Sequence, residues 1–122
     1  MSEDLSADGI TAGTLLRQAR AGDVAAAERS LARSYELDAA NPVTGYNLAN
    51  VLYRKGDYPR AQFYIRRLNN SDLANAESLW LGIRVENRMN DVQAMNQLSD
   101  QLRRRFPQSR EKGLLDRRAF NE

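Results

Sequence analysis

The apolar residues of the chain recur three and four positions apart, the spacing of amphipathic helices, and no segment alternates as a strand would. Residues 1–9 are polar and acidic, and we expect them to form a disordered lead-in. The pattern predicts helices over residues 10–21, 23–37, 41–55, 57–68, 90–106 and 109–120. A further helix is predicted after the turn-rich segment 69–72, running through Leu79 to Met89.

Capping signals support several of these boundaries. Asn41 followed by Pro42 is typical of an N-cap with proline at the first helical position. Gly56 ends that helix, and Asp57 is placed to cap the next one. Ser109 offers an N-cap for a last amphipathic helix. The chain is therefore predicted to be all-α.

A period of about 34 residues relates these helices to one another. The segment Ala21-Gly22-Asp23-Val24 lies one such period before Lys55-Gly56-Asp57-Tyr58, and Asn90-Asp91-Val92 follows after another. A helix–turn–helix repeat of this length is the signature of the tetratricopeptide repeat, whose stacked helix pairs form a superhelix with a concave face. We predict about three repeats, over residues 10–40, 41–70 and 74–106, and a capping helix over 109–120.

The third repeat departs from the period at one point. Leu81-Gly82 follows Leu48-Ala49 at a distance one residue short of the full period, although Asn90-Asp91 is in phase. This offset predicts a turn around Met89 that is one residue longer than its counterpart.

Composition narrows the classes of function. The 122 residues fit one domain, and net charge is only +2. With no cysteine and no histidine, the chain lacks thiol chemistry, disulfides, most zinc sites and the commonest general base. Its carboxylates are scattered over separate helices. We therefore expect a non-catalytic protein without cofactor or metal.

Five polar residues are candidates for partner binding, since the first helix of each tetratricopeptide pair lines the concave face. Asn47, Asn50 and Arg54 lie along one side of the third predicted helix, and Arg84 and Arg88 lie four apart on the fifth. Asparagine can bond an extended peptide backbone, and arginine can bind a carboxylate with two hydrogen bonds. The competing interpretation is that each residue is simply a solvated position of an amphipathic helix.

Trp80, the only tryptophan, is a sixth candidate. It could anchor a side chain of a partner, because buried aromatic residues dominate interface energetics. Packing in the core between helices is the more frequent role of a large aromatic residue.

Two arginine clusters could suggest nucleic-acid binding. Arg66-Arg67 and Arg103-Arg104-Arg105 both fall near predicted helix C-termini, where the helix dipole favours positive charge. No aromatic residues are interleaved with them. We therefore expect no nucleic-acid partner.

Residues 41–122 carry a narrower resemblance. They resemble the C-terminal part of type IV pilus biogenesis and stability proteins, the tetratricopeptide lipoproteins of PilW/PilF type. The similarity is carried by Gly56-Asp57-Tyr58-Pro59-Arg60-Ala61, Ser78-Leu79-Trp80-Leu81-Gly82-Ile83-Arg84, Leu102-Arg103-Arg104-Arg105-Phe106-Pro107 and Arg118-Ala119-Phe120-Asn121-Glu122.

The resemblance implies a periplasmic adaptor at the outer membrane that helps the pilus secretin to localise and form its multimer. Members of this family carry a signal peptide and a lipidated cysteine, and neither is found in this sequence. Membrane association is thus expected only through an anchor that this chain lacks. The alternative is a generic peptide-binding adaptor, unrelated to pili, that reads a C-terminal carboxylate through Asn47, Asn50 and Arg54.

Overall fold

The computed structural model describes residues 24–121, which form helices without any strand. The predicted lead-in over 1–9 and the predicted helix over 10–21 lie outside the described residues. The helices are α1 (Val24–Leu37), α2 (Pro42–Lys55), α3 (Tyr58–Asn69), α4 (Ala76–Arg88), α5 (Val92–Arg105) and α6 (Arg110–Asp116).

Helices α2, α4 and α6 are first helices of successive pairs, and each begins at a capping side chain. These three caps follow one another at exact intervals of the repeat period. Asn41 accepts a hydrogen bond from the backbone N–H of Val43 at 2.9 Å, and Asn75 accepts one from Ser78 at 2.8 Å. Ser109 accepts one from the N–H of Lys112 at 3.1 Å. Ser109 follows Asn75 by one repeat period, just as Asn75 follows Asn41. Helix α6 therefore begins where the first helix of a further pair would begin.

The second helices begin in the same regular way. Asp57 caps α3 by accepting from the N–H of Arg60, and Asp91 caps α5 by accepting from that of Ala94. These two caps are also separated by one repeat period. The predicted start of α3 at Asp57 is confirmed.

The first helices end in a common left-handed turn. Gly56, Asn90 and Arg118 have φ angles of 91°, 60° and 53°, a region that favours glycine and then asparagine. In each case the N–H of the next residue bonds a carbonyl five positions earlier, which is the Schellman arrangement. The turn at Arg118 ends α6 at Asp116, so this helix is shorter than the predicted 109–120.

These termini correct the prediction of a longer turn around Met89. The distance from Asn41 to Gly56 equals that from Asn75 to Asn90, so the backbone of the two pairs is in register. The irregularity lies in the side chains instead: Gly82 occupies the position that Leu48 holds in α2.

The helices pack in chain order. Helix α2 packs between α1 and α3, α4 packs between α3 and α5, and α6 covers α4 and α5. Two apolar clusters result, and α4 contributes to both because opposite sides of it carry apolar residues. The first contains Ala27, Leu31, Leu48, Ala49, Val51, Leu52, Tyr53, Ala61, Ile65, Leu68, Leu81 and Val85. The second contains Ala74, Leu79, Trp80, Ile83, Leu102, Leu114 and Leu115.

Gly82 allows this close approach of α4 to its neighbours. A Cβ at this position would lie 2.7 Å from Nδ2 of Asn69 on α3 and 3.1 Å from Cδ1 of Leu98 on α5. Asn69 is itself buried, and its Nδ2 donates to the carbonyl of Ser78 at 2.9 Å. Because Gly82 has no side chain, α3 and α5 can both lie this close to α4.

A second tie between α3 and α4 is ionic. Glu86 is 1% exposed, and its carboxylate accepts from Nε of Arg66 at 2.6 Å and from Nε2 of Gln62 at 2.8 Å. Arg66 also reaches Asp91 at 3.2 Å, and its pKa is raised chiefly by the hydrogen bond with Glu86. A buried carboxylate with this set of donors orients α4 on α3.

The helix α1 is held in a comparable way. Glu28 accepts from Nζ of Lys55 at 2.7 Å and from Nη1 of Arg60 at 2.6 Å, which joins α1 to α2 and α3. The hydrogen bond from Lys55, followed by that from Arg60, lowers the pKa of the Glu28 carboxyl. Helices α1, α2 and α3 are thus held together by ionic contacts as well as by their apolar cluster.

We expect opposite effects from adding a methyl group at two glycines. Gly56→Ala should cost about 1 kcal/mol of unfolding free energy, because φ is +91° while nothing lies within 4 Å of the added Cβ. Gly113→Ala should stabilise by about 0.5 kcal/mol, since this glycine lies inside α6 in open space. Urea denaturation gives the free energy of unfolding of both variants. A loss of stability in Gly113→Ala would contradict the helical, unobstructed position of this glycine.

Candidate functional site

Three side chains of α2 and three of α4 occupy equivalent positions in the repeat. Within each set the residues are four apart and so lie along one side of the helix, and the two sets are separated by one repeat period. We call them together the first-helix stripe. It consists of Tyr46, Asn50 and Arg54 on α2 and of Trp80, Arg84 and Arg88 on α4.

A cavity of about 440 Å³ lies at the α2 end of this stripe. It brings together Asn47 and Asn50, two of the predicted binding residues, whereas Arg54 is exposed one turn beyond it. Its described lining is Leu31, Pro42, Val43, Tyr46, Asn47, Asn50, Val51, Leu73, Asn75 and Glu77. The walls are largely apolar, with asparagine amides and one carboxylate between them.

Exposed apolar side chains stand at the rim of this cavity. Val43 is 65% exposed and Leu73 is 50% exposed, although both are large hydrophobic residues. Tyr46 is half-buried beside them. Such a concave, mostly apolar surface with a few amides suits a side chain and backbone of a bound segment.

The sequence interpretation missed Tyr46 as a site residue. Burial raises the pKa of its hydroxyl, the charges of Glu77 and Glu111 raise it further, and Arg84 opposes them. The charged groups that act on Tyr46, a residue of α2, therefore come from α4 and α6. The repeat period could have indicated Tyr46 as a site residue, because Tyr46 lies one period before the candidate Trp80. Glu77 likewise lies one period before Glu111.

Trp80 is a core residue in this structure. It is 4% exposed, packs with Leu114 and Leu115 of α6, and stacks on the ring of Phe120 with centroids 5.7 Å apart. Its Nε1 has no hydrogen-bond partner in the structure of residues 24–121. With Phe120 in place, Trp80 is therefore packed in the core and not open to a partner.

Arg84 and Arg88 lie over aromatic rings of the preceding pair. The guanidinium of Arg84 is 4.8 Å from the ring centroid of Tyr53, and that of Arg88 is 5.6 Å from the ring of Tyr58. Cation–π contacts of this kind hold an arginine in place while leaving its edge available for hydrogen bonds. The two arginines are therefore positioned rather than freely mobile.

The segment after α6 provides the acceptors for these arginines. Nε of Arg84 donates to the backbone carbonyl of Phe120 at 3.1 Å. Nη2 of Arg88 donates to Oδ1 of Asn121 at 3.4 Å, a longer contact. Residues 119–121 thus lie along the α4 part of the first-helix stripe.

The arginine clusters weighed as nucleic-acid contacts have neighbours within the chain. Arg66 bonds Glu86, and Nε of Arg103 lies 3.8 Å from the Asp116 carboxylate. The guanidinium of Arg105 lies 5.3 Å from the ring centroid of Phe106.

Residues 24–121 contain neither a metal-binding cluster nor a helix that could span a membrane. Three or more acidic, histidine or cysteine side chains are nowhere gathered there in a metal-binding group. In the same part of the chain, the helices are too short or too polar to cross a membrane.

Comparison with known proteins supports the repeat architecture. The family model for the tetratricopeptide repeat matches residues 18–80, just over half of the chain. No curated protein matches the sequence. The match covers α1 to α3 and the start of α4, and so includes most of the α2 part of the site.

Two solved structures have a similar fold. One is a crystal structure of PilW, described as a widely conserved type IV pilus biogenesis factor, with 24% identity and a TM-score of 0.73 over 84% of this chain. The other comes from a functional characterisation of Pseudomonas aeruginosa pilF, with 26% identity and a TM-score of 0.69 over 86%. In each case 47% of the solved chain is covered, so this chain spans about half its length. The predicted all-α fold and the predicted resemblance to PilW/PilF-type proteins are confirmed.

Proposed function

Because the chain belongs to the tetratricopeptide repeat family, we propose that it is an interaction scaffold of type IV pilus biogenesis that binds a segment of a partner protein along its first-helix stripe. In tetratricopeptide stacks this face is concave and the first helices line it. The proposed partner is the pilus secretin or another component of pilus assembly. The proposed location is the periplasmic face of the outer membrane.

The observation that carries this proposal is the correspondence between α2 and α4. Asn50 and Arg84 occupy equivalent positions, as do Arg54 and Arg88, so the polar lining continues from one pair to the next. The cavity beside Asn47 and Asn50 adds an apolar depression to this face. A continuous surface of this kind fits an extended segment better than a small molecule.

The alternative adaptor, which reads a C-terminal carboxylate, has less support. The described lining of the cavity contains a carboxylate, Glu77, and no cation. Among the described lining residues, a bound carboxylate would meet the like charge of Glu77 and no arginine, because Arg54 is not one of them. The amides of Asn47, Asn50 and Asn75 are suited to the N–H and C=O groups of a peptide backbone.

A paired substitution tests the site. Asn47→Ala/Asn50→Ala should weaken binding of the purified secretin by about tenfold, since two amide hydrogen bonds to a peptide contribute about 1–2 kcal/mol together. The melting temperature should change little, because both side chains are half-buried and lie at the rim of the core. Surface plasmon resonance gives the affinity and circular dichroism gives the melting temperature.

The matched control is Gln97→Ala/Gln101→Ala. These two polar residues are four apart on α5 and line a different surface, between α3 and α5. This control should bind the secretin as the unchanged chain does. If neither the secretin nor any other pilus component is retained by the unchanged chain, the proposed function is wrong. Equal affinity of both double variants would move the site elsewhere on the protein.

A further inference from the structure

The part of the first-helix stripe on α4 is already occupied by the chain itself. Phe120 stacks on Trp80 at an interplanar angle of 25°, its carbonyl bonds Arg84, and Asn121 bonds Arg88. Three of the predicted binding residues thus contact two consecutive residues of the tail, defined as residues 119–121. The tail runs along α4 with an aromatic side chain at one end and a polar acceptor at the other.

The left-handed turn at Arg118 directs the tail onto this face. Its φ of 53° reverses the chain after α6, and its guanidinium lies 5.5 Å from the ring of Phe120. A residue other than glycine is strained in this conformation, and contacts of the tail must offset that strain. Phe120 is half-buried and Asn121 is exposed, so the tail lies on the surface of the core and not within it.

Among the described residues of the tail, 119–121, the acceptors for the two arginines are both neutral oxygens. A hydrogen bond from a guanidinium to a carboxylate is shorter and about twice as strong as one to a neutral acceptor. The hydrogen bond of Arg88 with Asn121, at 3.4 Å, is the longer and weaker of the two. A charged acceptor in place of Asn121 would therefore strengthen binding most at Arg88. An acidic residue following an aromatic one would therefore match this surface better than the tail does.

We propose that the α4 part of the first-helix stripe binds a partner segment in which an aromatic residue is followed by an acidic residue, and that this segment displaces the tail. The incoming ring replaces Phe120 against Trp80, and the incoming carboxylate pairs with Arg88. This inference rests on the proposed function, whose partner it specifies by chemistry. The tail is then a weaker internal competitor of the partner.

The test uses the full chain and a capped heptapeptide, acetyl-Gly-Ser-Ala-Phe-Asp-Ser-Gly-amide. Trp80 is the only tryptophan of the protein, so its fluorescence reports on the ring that covers it. Phe120→Ala should shift the emission of Trp80 to longer wavelength, and the peptide should reverse this shift. The peptide should bind Phe120→Ala about two- to tenfold more tightly than the unchanged chain, since the competing stack is lost.

A second variant gives the opposite sign. Asn121→Asp strengthens the hold of the tail on Arg88, so it should bind the peptide about two- to fivefold more weakly than the unchanged chain. Asn121 is exposed, and this variant is expected to fold even if Phe120→Ala is destabilised. A peptide with asparagine in place of aspartate should bind more weakly to every variant, because only the carboxylate gives a charge-assisted bond.

The outcomes separate this inference from the proposed function. If the heptapeptide binds none of the variants, or binds Phe120→Ala and Asn121→Asp equally, the tail is not a competitor and the inference fails. Retention of the secretin by the unchanged chain would then still support the proposed function. Loss of heptapeptide binding on Arg84→Ala/Arg88→Ala, in the Phe120→Ala background, is the further result that the inference requires.

Discussion

Trp80→Ala is expected to lower the free energy of unfolding by about 3–5 kcal/mol, the largest effect of any substitution considered. Its side chain is 4% exposed and joins α4 to α6 within the second apolar cluster. Truncation to alanine leaves a cavity that the surrounding helices can fill only in part. Because the variant has no tryptophan, denaturation should be followed by circular dichroism in urea.

Phe63→Ala is the matched control for this result. Phe63 is also aromatic and helical, but it is 59% exposed on α3, so its loss should cost less than about 1 kcal/mol. If Trp80→Ala cost no more than this control and instead weakened partner binding, the assignment of Trp80 to the core would be wrong. Trp80 would then be an interface anchor.

Arg66→Ala should cost about 2 kcal/mol, the second largest effect. It leaves the Glu86 carboxylate, which is 1% exposed, with Gln62 as its remaining side-chain donor. Removal of one member of a fully buried ion pair costs about 3–5 kcal/mol. The Arg66 side chain is 46% exposed, and solvent reduces the effect accordingly.

A rescue variant tests the cause of this loss. Arg66→Ala/Glu86→Gln should be more stable than Arg66→Ala alone, because the amide keeps a hydrogen bond to Gln62 without a buried charge. Arg104→Ala, at an exposed position of α5, controls for the loss of a helical surface charge. If the double variant is no more stable than Arg66→Ala, the unpaired charge of Glu86 is not the cause of the lower stability of Arg66→Ala.

The fold could be predicted because its signals are local. Asn41, Asp57 and Ser109 can each be identified as caps from neighbouring residues, and the period then places the helices in pairs. The turn at Met89 was predicted wrongly because the position of a small residue was taken to mark the backbone register. The structure shows that caps fix the register, while Gly82 reflects how closely three helices approach.

The candidate site could be predicted from the sequence only in part. Helical spacing alone places Arg84 and Arg88 on one side of α4. It does not show that Tyr53 and Tyr58 hold them, or that Phe120 and Asn121 bond them from 33 or more positions along the chain. Long-range contacts of this type depend on the turn at Arg118, whose left-handed conformation is not signalled by its residue type.

Site-specific photo-crosslinking in piliated cells tests the central claim most directly. A photoreactive amino acid at Asn50 or Arg54 faces the proposed binding surface, and one at Gln97 faces the surface between α3 and α5. With the variants expressed in piliated cells, we predict crosslinks to the secretin or another pilus-assembly protein from positions 50 and 54 but not from 97. Crosslinks to that protein from position 97 alone would contradict the account.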